Sequence, residues 1–117
     1  MVLPQVEEIG DDTAVVVLEM THVWSGVEMD RAFAELKSAG RRRIVVDASG
    51  ASMLNSKVLD ALVRCAADLD PREGAGLALI TRHDYVKQIM QINSAGGIIF
   101  LADTRDEALE ALPPRRR

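Results

Sequence analysis

Aromatic residues are scarce in this sequence: together phenylalanine, tryptophan and tyrosine make up 3% of it. So few aromatic rings leave little surface on which nucleic-acid bases or sugar rings can stack. Positively charged residues are also fewer than negatively charged ones, so the formal net charge at pH 7 is −4. That sign disfavours binding to nucleic acid or to an anionic membrane. We therefore expect neither class of partner.

Cysteine and histidine are nearly absent as well. Cys65 is the single cysteine, so an internal disulfide is excluded, and its apolar helical context favours a small buried side chain. His22 and His83 have no neighbour at metal-ligand spacing, so we expect no metal site. Neither a glycine-rich phosphate loop nor a nucleophile elbow occurs. We accordingly expect no cofactor and no enzymatic activity.

Long apolar runs are missing too. No stretch approaches the roughly 20 apolar residues of a membrane-spanning helix, and the opening MVLPQVEEIGDD lacks the pattern of a secretory signal. A cytoplasmic location is the expectation. Aliphatic side chains, in contrast, are plentiful, since hydrophobic residues make up 48% of the 117 residues. This predicts one domain over 1–117, with a core at about 5–112 and a flexible tail at 113–117.

The apolar pattern predicts strands that alternate with helices. Strands are expected at 5–9, 13–19, 44–47, 77–81 and 98–101. Helices are expected with apolar stripes at 29–36, 59–69, 83–92 and 108–112, and Thr104 with Glu107 predicts a capping box for the last one. The short turn at 10–12 indicates an antiparallel first pair, and the alternation that follows indicates parallel pairing. The predicted fold is an α/β domain with a mostly parallel mixed sheet, an antiparallel leading strand and about four flanking helices.

Two features have a local interpretation. Trp24, in the loop after the second strand, is predicted either to anchor that loop to the core or to be an exposed contact residue. Arg41, Arg42 and Arg43 follow the first helix and are predicted to form a solvated group that complements its dipole.

The polar pair Asn55 and Ser56 lies just before the second helix. One of the two is expected to be the N-cap. The pair follows a strand end, where open α/β sheets gather their functional groups. A serine at a helix N-terminus could also carry a phosphate beside unpaired N–H groups at low structural cost. From the residues alone a plain cap is favoured, and a phosphate-bearing site stays open.

A family resemblance rests on the segments IVVD, ASGASMLNS, KVLDALVRCAADL, LALIT, YVKQIMQI, NSAGG and IIFLADTRDEAL. They resemble the STAS domain, which is typified by bacterial anti-sigma-factor antagonists, over about 5–112. In that family the serine of Asp-Ser-Ser/Thr-Gly is phosphorylated by a partner kinase that is usually also the anti-sigma factor. The resemblance places the phosphoacceptor at Ser56. Asn55, Lys57 and Val58 stand where the motif has an acid, a small hydroxyl residue and glycine.

The resemblance implies a regulatory protein-interaction module rather than an enzyme. Its expected partners are an anti-sigma factor or serine kinase and a cognate phosphatase, and phosphorylation is expected to break the complex. Partner contacts are expected from the loop before the second helix, at Ser52, Met53, Leu54, Asn55 and Lys57.

Self-association is expected to be weak at most. Met53 and Leu54, together with the exposed sheet edge, are expected to offer an apolar patch that gives a monomer or a weak homodimer. Two other functions stay open. One is a non-phosphorylated scaffold subunit of a signalling assembly, in which Ser56 is only a cap. The other is a small-ligand sensor or enzyme with a polar cleft at the strand ends.

Overall fold

The computed structural model describes residues 3–19, 23–50, 54–93 and 99–112. The strands are β1 Gln5–Ile9, β2 Thr13–Val17, β3 Arg43–Asp47, β4 Gly76–Ile80 and β5 Ile99–Ala102. The helices are α1 Gly26–Ser38, α2 Ser56–Ala67, α3 Asp84–Asn93 and α4 Arg105–Ala111, and a 3-10 turn spans Pro71–Glu73. The segments proposed as the NSAGG turn and the flexible tail lie largely or wholly outside the described residues.

The five strands form one sheet in the order β1-β2-β3-β4-β5. β1 pairs antiparallel with β2, and the other neighbours pair in parallel. Gly10 makes the tight turn between β1 and β2 possible, because its φ of 67° lies in the left-handed region that favours glycine. The predicted α/β fold with an antiparallel leading strand is therefore confirmed.

Strand and helix ends differ slightly from the sequence-based expectation. β2 ends at Val17 rather than at residue 19, because its partners Gln5 and Asp47 lie at the ends of β1 and β3. α3 begins at Asp84 rather than at His83, whose N–H donates to the Thr81 hydroxyl in a turn.

The side chains of β2 alternate between two cores. Even-numbered residues such as Val16 face α1, α2 and α3, whereas odd-numbered residues such as Val15 face α4. β3 and β4, whose residues are almost entirely buried, alternate between the same two cores, but in β4 the odd-numbered residues are those that face α1, α2 and α3. A parallel sheet covered on both faces explains why these strands are continuous apolar runs.

The arginines after α1 do not form one solvated group. Arg41 Nη1 donates to the Gly10 carbonyl at 2.8 Å, and Arg43 Nη2 donates to the Leu109 carbonyl at 3.2 Å. The prediction is therefore wrong for Arg41 and Arg43, because the long guanidinium side chains reach backbone carbonyls of the β1–β2 turn and of α4. Arg42, whose side chain is 62% exposed, does fit the prediction.

Helix capping is only partly as predicted. At α4 the Thr104 hydroxyl accepts from the Glu107 N–H at 3.2 Å, but the Glu107 carboxylate accepts from the N–H of Asp103. A complete capping box occurs instead at α1, between Ser25 and Glu28, and was missed. The Ser25-to-Glu28 spacing in the sequence could have revealed it.

Candidate functional site

The start of α2 is fixed by Asn55, which is the N-cap. Asn55 Oδ1 accepts from the Val58 N–H at 3.0 Å, and its Nδ2 donates to the Trp24 carbonyl at 2.9 Å. One side chain thus caps the helix and ties it to the loop before α1. Ser56 is the first helical residue and not the cap, which answers the question that the sequence had left open.

Ser56 and Lys57 are exposed on the first turn of α2. Asn55 satisfies the N–H of Val58, whereas the N–H groups of Ser56 and Lys57 donate to no group within the part of the chain that the structure describes. The first turn contains no acidic residue, unlike those of α1, α3 and α4, and Lys57 adds a positive charge. This turn therefore offers donors and positive potential to an anion attached to Ser56.

Trp24 lies beneath this turn. Its side chain is 5% exposed, and its Nε1 donates to the Glu19 carbonyl at 3.3 Å. Of the two alternatives for Trp24, the anchor is confirmed. Gly26, at the start of α1, lies so close to α2 that a Cβ there would be 3.2 Å from the Lys57 carbonyl oxygen. The N-termini of α1 and α2 are thus packed directly side by side.

Exposed apolar side chains occur on the segments that contact the start of α2. Val23 and Val27, in and just after the loop that holds Trp24, are 84% and 64% exposed, and Tyr85 of α3 is 43% exposed. The Tyr85 hydroxyl accepts from the Leu54 N–H at 3.4 Å, which places this ring beside the residues leading into α2. The sequence analysis missed all three. The available signal was that Val23 and Val27 lie outside the apolar stripe of α1.

The expected partner contacts do not all lie on the surface. Leu54 is 4% exposed and belongs to the same core cluster as Leu59. The prediction that Leu54 forms part of an exposed apolar patch is therefore wrong. The physical reason is that a residue just before an N-cap packs inward against the fourth helical residue, here Leu59. Ser52 and Met53 lie outside the described residues.

The loop that leads to Ser56 is anchored at its base by Asp47, the last residue of β3. Asp47 Oδ1 accepts from the Ser49 hydroxyl at 2.6 Å and from the Ser49 N–H at 3.1 Å. Its Oδ2 accepts from Arg105 Nε at 2.9 Å, and Arg105 also pairs with Glu7 of β1. Burial by itself would raise the pKa of Asp47, but the hydrogen bonds from Ser49 and Arg105 outweigh it and hold this pKa below its ordinary value.

Asp47→Asn is expected to lower the free energy of unfolding by about 1.5 kcal/mol at pH 7, because it removes charged hydrogen bonds from a nearly buried position. A lowered folded-state pKa stabilises the protein above the ordinary pKa of 3.8, and this contribution is lost as the pH falls through the folded-state value. The difference between wild type and Asp47→Asn should therefore shrink in urea denaturation as the pH drops below about 4. Asp60→Asn, at an exposed position of α2, is the matched control. A difference that stays constant with pH would contradict this account.

Asn55→Ala is expected to destabilise the protein by about 1–2 kcal/mol, because both the cap and the bond to the Trp24 carbonyl are lost. Ser56→Ala is the control and should change stability by less than about 0.5 kcal/mol, since Ser56 is exposed. Chemical denaturation followed by circular dichroism measures both. Equal losses for the two variants would mean that Ser56 shares the capping role.

Cys65 lies at the base of a groove between α1 and α2 with a volume of about 310 Å³. The ion pairs Arg64–Asp30 and Lys37–Asp68, both at 2.9 Å, bridge the two helices here. Cys65 is 3% exposed, and burial raises the pKa of its thiol to about 12. The predicted role of a small buried apolar residue is confirmed.

The described ranges contain neither a metal-binding cluster nor a membrane-spanning helix. No group of three or more His, Cys, Asp or Glu side chains there is placed to hold a metal ion. None of the helices in those ranges is both long and apolar enough to cross a membrane.

Solved structures match the fold, although no family model and no curated protein sequence matches the chain. TM1081 from Thermotoga maritima superposes with a TM-score of 0.72 at 17% identity, over 94% of this chain and 88% of that one. An anti-sigma factor antagonist from Mycobacterium paratuberculosis gives a TM-score of 0.71 at 19% identity, over 93% and 92%. The Bacillus cell fate determinant SpoIIAA in its phosphorylated form gives 0.67 at 16% identity, over 92% and 96%. The chain therefore has the STAS fold of these proteins.

Proposed function

We propose that this chain is a phospho-switched antagonist of an anti-sigma factor or serine kinase, with Ser56 as the phosphoacceptor. The observation that carries the proposal is the exposed hydroxyl of Ser56 on a first helical turn that has no carboxylate and whose first two N–H groups donate to nothing among the described residues. The fold adds support, because it is shared with an anti-sigma factor antagonist and with SpoIIAA, which exists in a phosphorylated form. In this role the chain is a cytoplasmic binding protein and not an enzyme.

The unphosphorylated surface suits a protein partner. On the elements packed against the start of α2, Val23, Val27 and Tyr85 expose side chains that a partner would remove from water. Lys57 provides one charge at the centre of this surface, and the Asn55 side chain holds the turn in place. Asn55 and Lys57, the sequence neighbours of Ser56, are the proposed contact residues on this surface.

A phosphate on Ser56 would alter this surface without unfolding it. It would add about −1.5 to −2 charges beside the positive end of α2 and Lys57, where a negative charge is stabilising. The same charge would have to be desolvated beneath a docked partner, which is costly unless the partner supplies a cation. Phosphorylation therefore releases the partner, and a phosphatase that removes the phosphate restores binding.

The proposal is tested with a purified serine kinase of the anti-sigma-factor type from the same organism. Wild type, Ser56→Ala and Ser49→Ala are incubated with the kinase and ATP, and the products are mapped by mass spectrometry. Ser49 is a matched control, since it is an exposed serine of the same loop. We expect one phosphate on wild type and on Ser49→Ala, located at Ser56, and none on Ser56→Ala. A phosphate on Ser56→Ala, or no binding between wild type and the kinase, would refute the proposal.

A non-phosphorylated scaffold is the second candidate function. It is favoured by Lys57 and Val58, which stand where the family motif has a small hydroxyl residue and glycine. This function predicts that wild type binds the kinase or anti-sigma factor tightly and stays unmodified in the same mass-spectrometry experiment.

A further inference from the structure

β1 is an edge strand that exposes apolar side chains. It lies at one end of the strand order, and all five of its residues are exposed. Leu3, Val6 and Ile9, on β1 or just before it, are 37%, 38% and 44% exposed. They make up half of the large exposed hydrophobic residues in the described ranges, and an edge of this kind is a template for pairing with another strand.

The outward-facing backbone groups of β1 follow from the bonds on the other side of β2. The N–H of Leu18, the residue just after β2, donates to the Asp47 carbonyl of β3. Even-numbered residues of β2 therefore direct their backbone N–H and carbonyl groups towards β3. The backbone N–H and carbonyl groups of odd-numbered β2 residues therefore point towards β1. One of these residues, Val15, lies opposite Glu7. It follows that Val6, next to Glu7, directs its N–H and carbonyl away from the sheet.

The two carboxylates of β1 are neutralised within the molecule. Glu8 pairs with Arg41 at 3.1 Å, and Glu7 pairs with Arg105. Charged side chains on an edge strand normally discourage pairing with another chain. Because each of these carboxylates has its own guanidinium partner, their negative charge opposes pairing less than the sequence suggests.

We propose that β1 is a homodimer interface, in which β1 of a second copy adds antiparallel about a two-fold axis at Val6. The axis is perpendicular to the sheet, so each face of one sheet continues into the same face of the other. Even-numbered residues of one β1 therefore lie opposite even-numbered residues of the second β1, and odd-numbered opposite odd-numbered. With the axis at Val6, the two Val6 side chains meet, Leu3 lies opposite Ile9, and Gln5 lies opposite Glu7. The exposed apolar side chains of Leu3, Val6 and Ile9 thus meet one another, Pro4 lies opposite Glu8, and each Glu7 carboxylate meets an amide donor.

Other registers pair poorly. An axis at Glu7 or at Glu8 places a carboxylate opposite its own copy, which is unfavourable for directly opposed residues. An axis at Gln5 places Leu3 opposite Glu7 and so pairs an apolar side chain with a charged one. Of these four registers, only the one with its axis at Val6 places each of Leu3, Val6 and Ile9 opposite an apolar side chain.

The dimer is weak and leaves the Ser56 surface accessible. Pro4 has no N–H to donate to the second strand, and a five-residue edge buries far less area than the ~1,200 Å² of a stable interface. α2 packs over β4 and β5, on the far side of the sheet from β1. Each copy in the dimer can therefore bind a partner at Ser56 independently.

Disulfide trapping tests the interface and its register. In an antiparallel pair the two Val6 Cα atoms are ~5.5 Å apart, within the range of a disulfide, so Val6→Cys should be cross-linked by a mild oxidant. The native Cys65 will not interfere because it is buried. Val23→Cys, at an 84% exposed position away from β1, is the matched control. We expect Val6→Cys to form covalent dimers roughly tenfold faster than Val23→Cys, because pairing raises the local thiol concentration. Equal rates, or faster cross-linking of Glu7→Cys, would overturn the proposal.

Sedimentation tests the interface without cysteine. For wild type, the fraction of dimer is expected to rise with protein concentration and to be detectable at concentrations below about 1 mM. Val6→Lys should remain monomeric at the same concentrations, whereas Val27→Lys, at another exposed valine, should dimerise like wild type. Circular dichroism is used to check that each variant is folded. A wild type that sediments as a monomer throughout, or a Val6→Lys variant that still dimerises, would refute the interface.

Discussion

Ser56→Asp is expected to weaken binding to the kinase or anti-sigma partner by roughly 100-fold, which is about 2.7 kcal/mol. Ser56→Ala is expected to leave the affinity within about threefold of wild type, since an exposed hydroxyl contributes little to binding. The aspartate places a charge among the apolar side chains of Val23, Val27 and Tyr85, and desolvating an unpaired charge is costly. Titration calorimetry with the purified partner measures both affinities.

Both variants should keep the fold, so a loss of binding can be assigned to the surface. The cap of α2 is Asn55, and Ser56 is not needed for it. An aspartate in a first helical turn stabilises the helix by ~0.3–1 kcal/mol, so Ser56→Asp should unfold at a slightly higher denaturant concentration. Circular dichroism and urea denaturation check this.

Ser38→Asp is the matched control for charge. Ser38 is an exposed serine at the opposite end of α1, and the same substitution there should leave the affinity unchanged. Binding of Ser56→Asp with the affinity of wild type would place Ser56 outside the interface. An equal loss for Ser38→Asp would mean that net charge, rather than the position of the charge, controls binding.

Trp24→Ala is expected to lower the free energy of unfolding by about 3–4 kcal/mol, the largest change in stability that we predict. Trp24 is 5% exposed, and its removal leaves a cavity between the loop before α1 and the start of α2. The neighbouring Val23→Ala is the matched control and should cost less than about 0.5 kcal/mol, because Val23 is 84% exposed.

The measurement should use circular dichroism with urea or guanidinium. Trp24 is the single tryptophan, so the variant has lost the natural fluorescent probe. Partner binding should also weaken, because loss of the indole removes the packing that fixes the loop whose backbone carbonyl at residue 24 accepts the hydrogen bond from Asn55. A destabilisation below about 1 kcal/mol would mean that the indole is not a core side chain in solution.

Sequence patterns alone were sufficient to predict the class and order of the elements. Valine-rich runs at β2 and β3 predicted strands because their apolar content suits a sheet covered on both faces. The short turn at residues 10–12 predicted the antiparallel first pair, which the register of β1 and β2 confirms. These features depend on neighbours a few residues apart, and periods of 2 and 3.6 record them directly in the sequence.

The sequence was less informative about the site. The family resemblance pointed to Ser56, and the structure places that residue on an exposed first turn. Whether Asn55 or Ser56 caps α2 depended on backbone conformation, and the extended φ and ψ of Asn55, −82° and 167°, decide it. Leu54 was expected on the surface because a loop position has no periodicity to show which way its side chain points.

Tertiary structure alone decided the contacts between distant residues. Asp47 and Arg105 are 58 positions apart, yet their side chains meet at 2.9 Å because the end of β3 and the start of α4 lie at the same edge of the sheet. Trp24 could be assigned to the core only after α1 and α2 were placed side by side. Local patterns specify which face of an element is apolar, but the partner of a charged or aromatic side chain depends on how the elements pack.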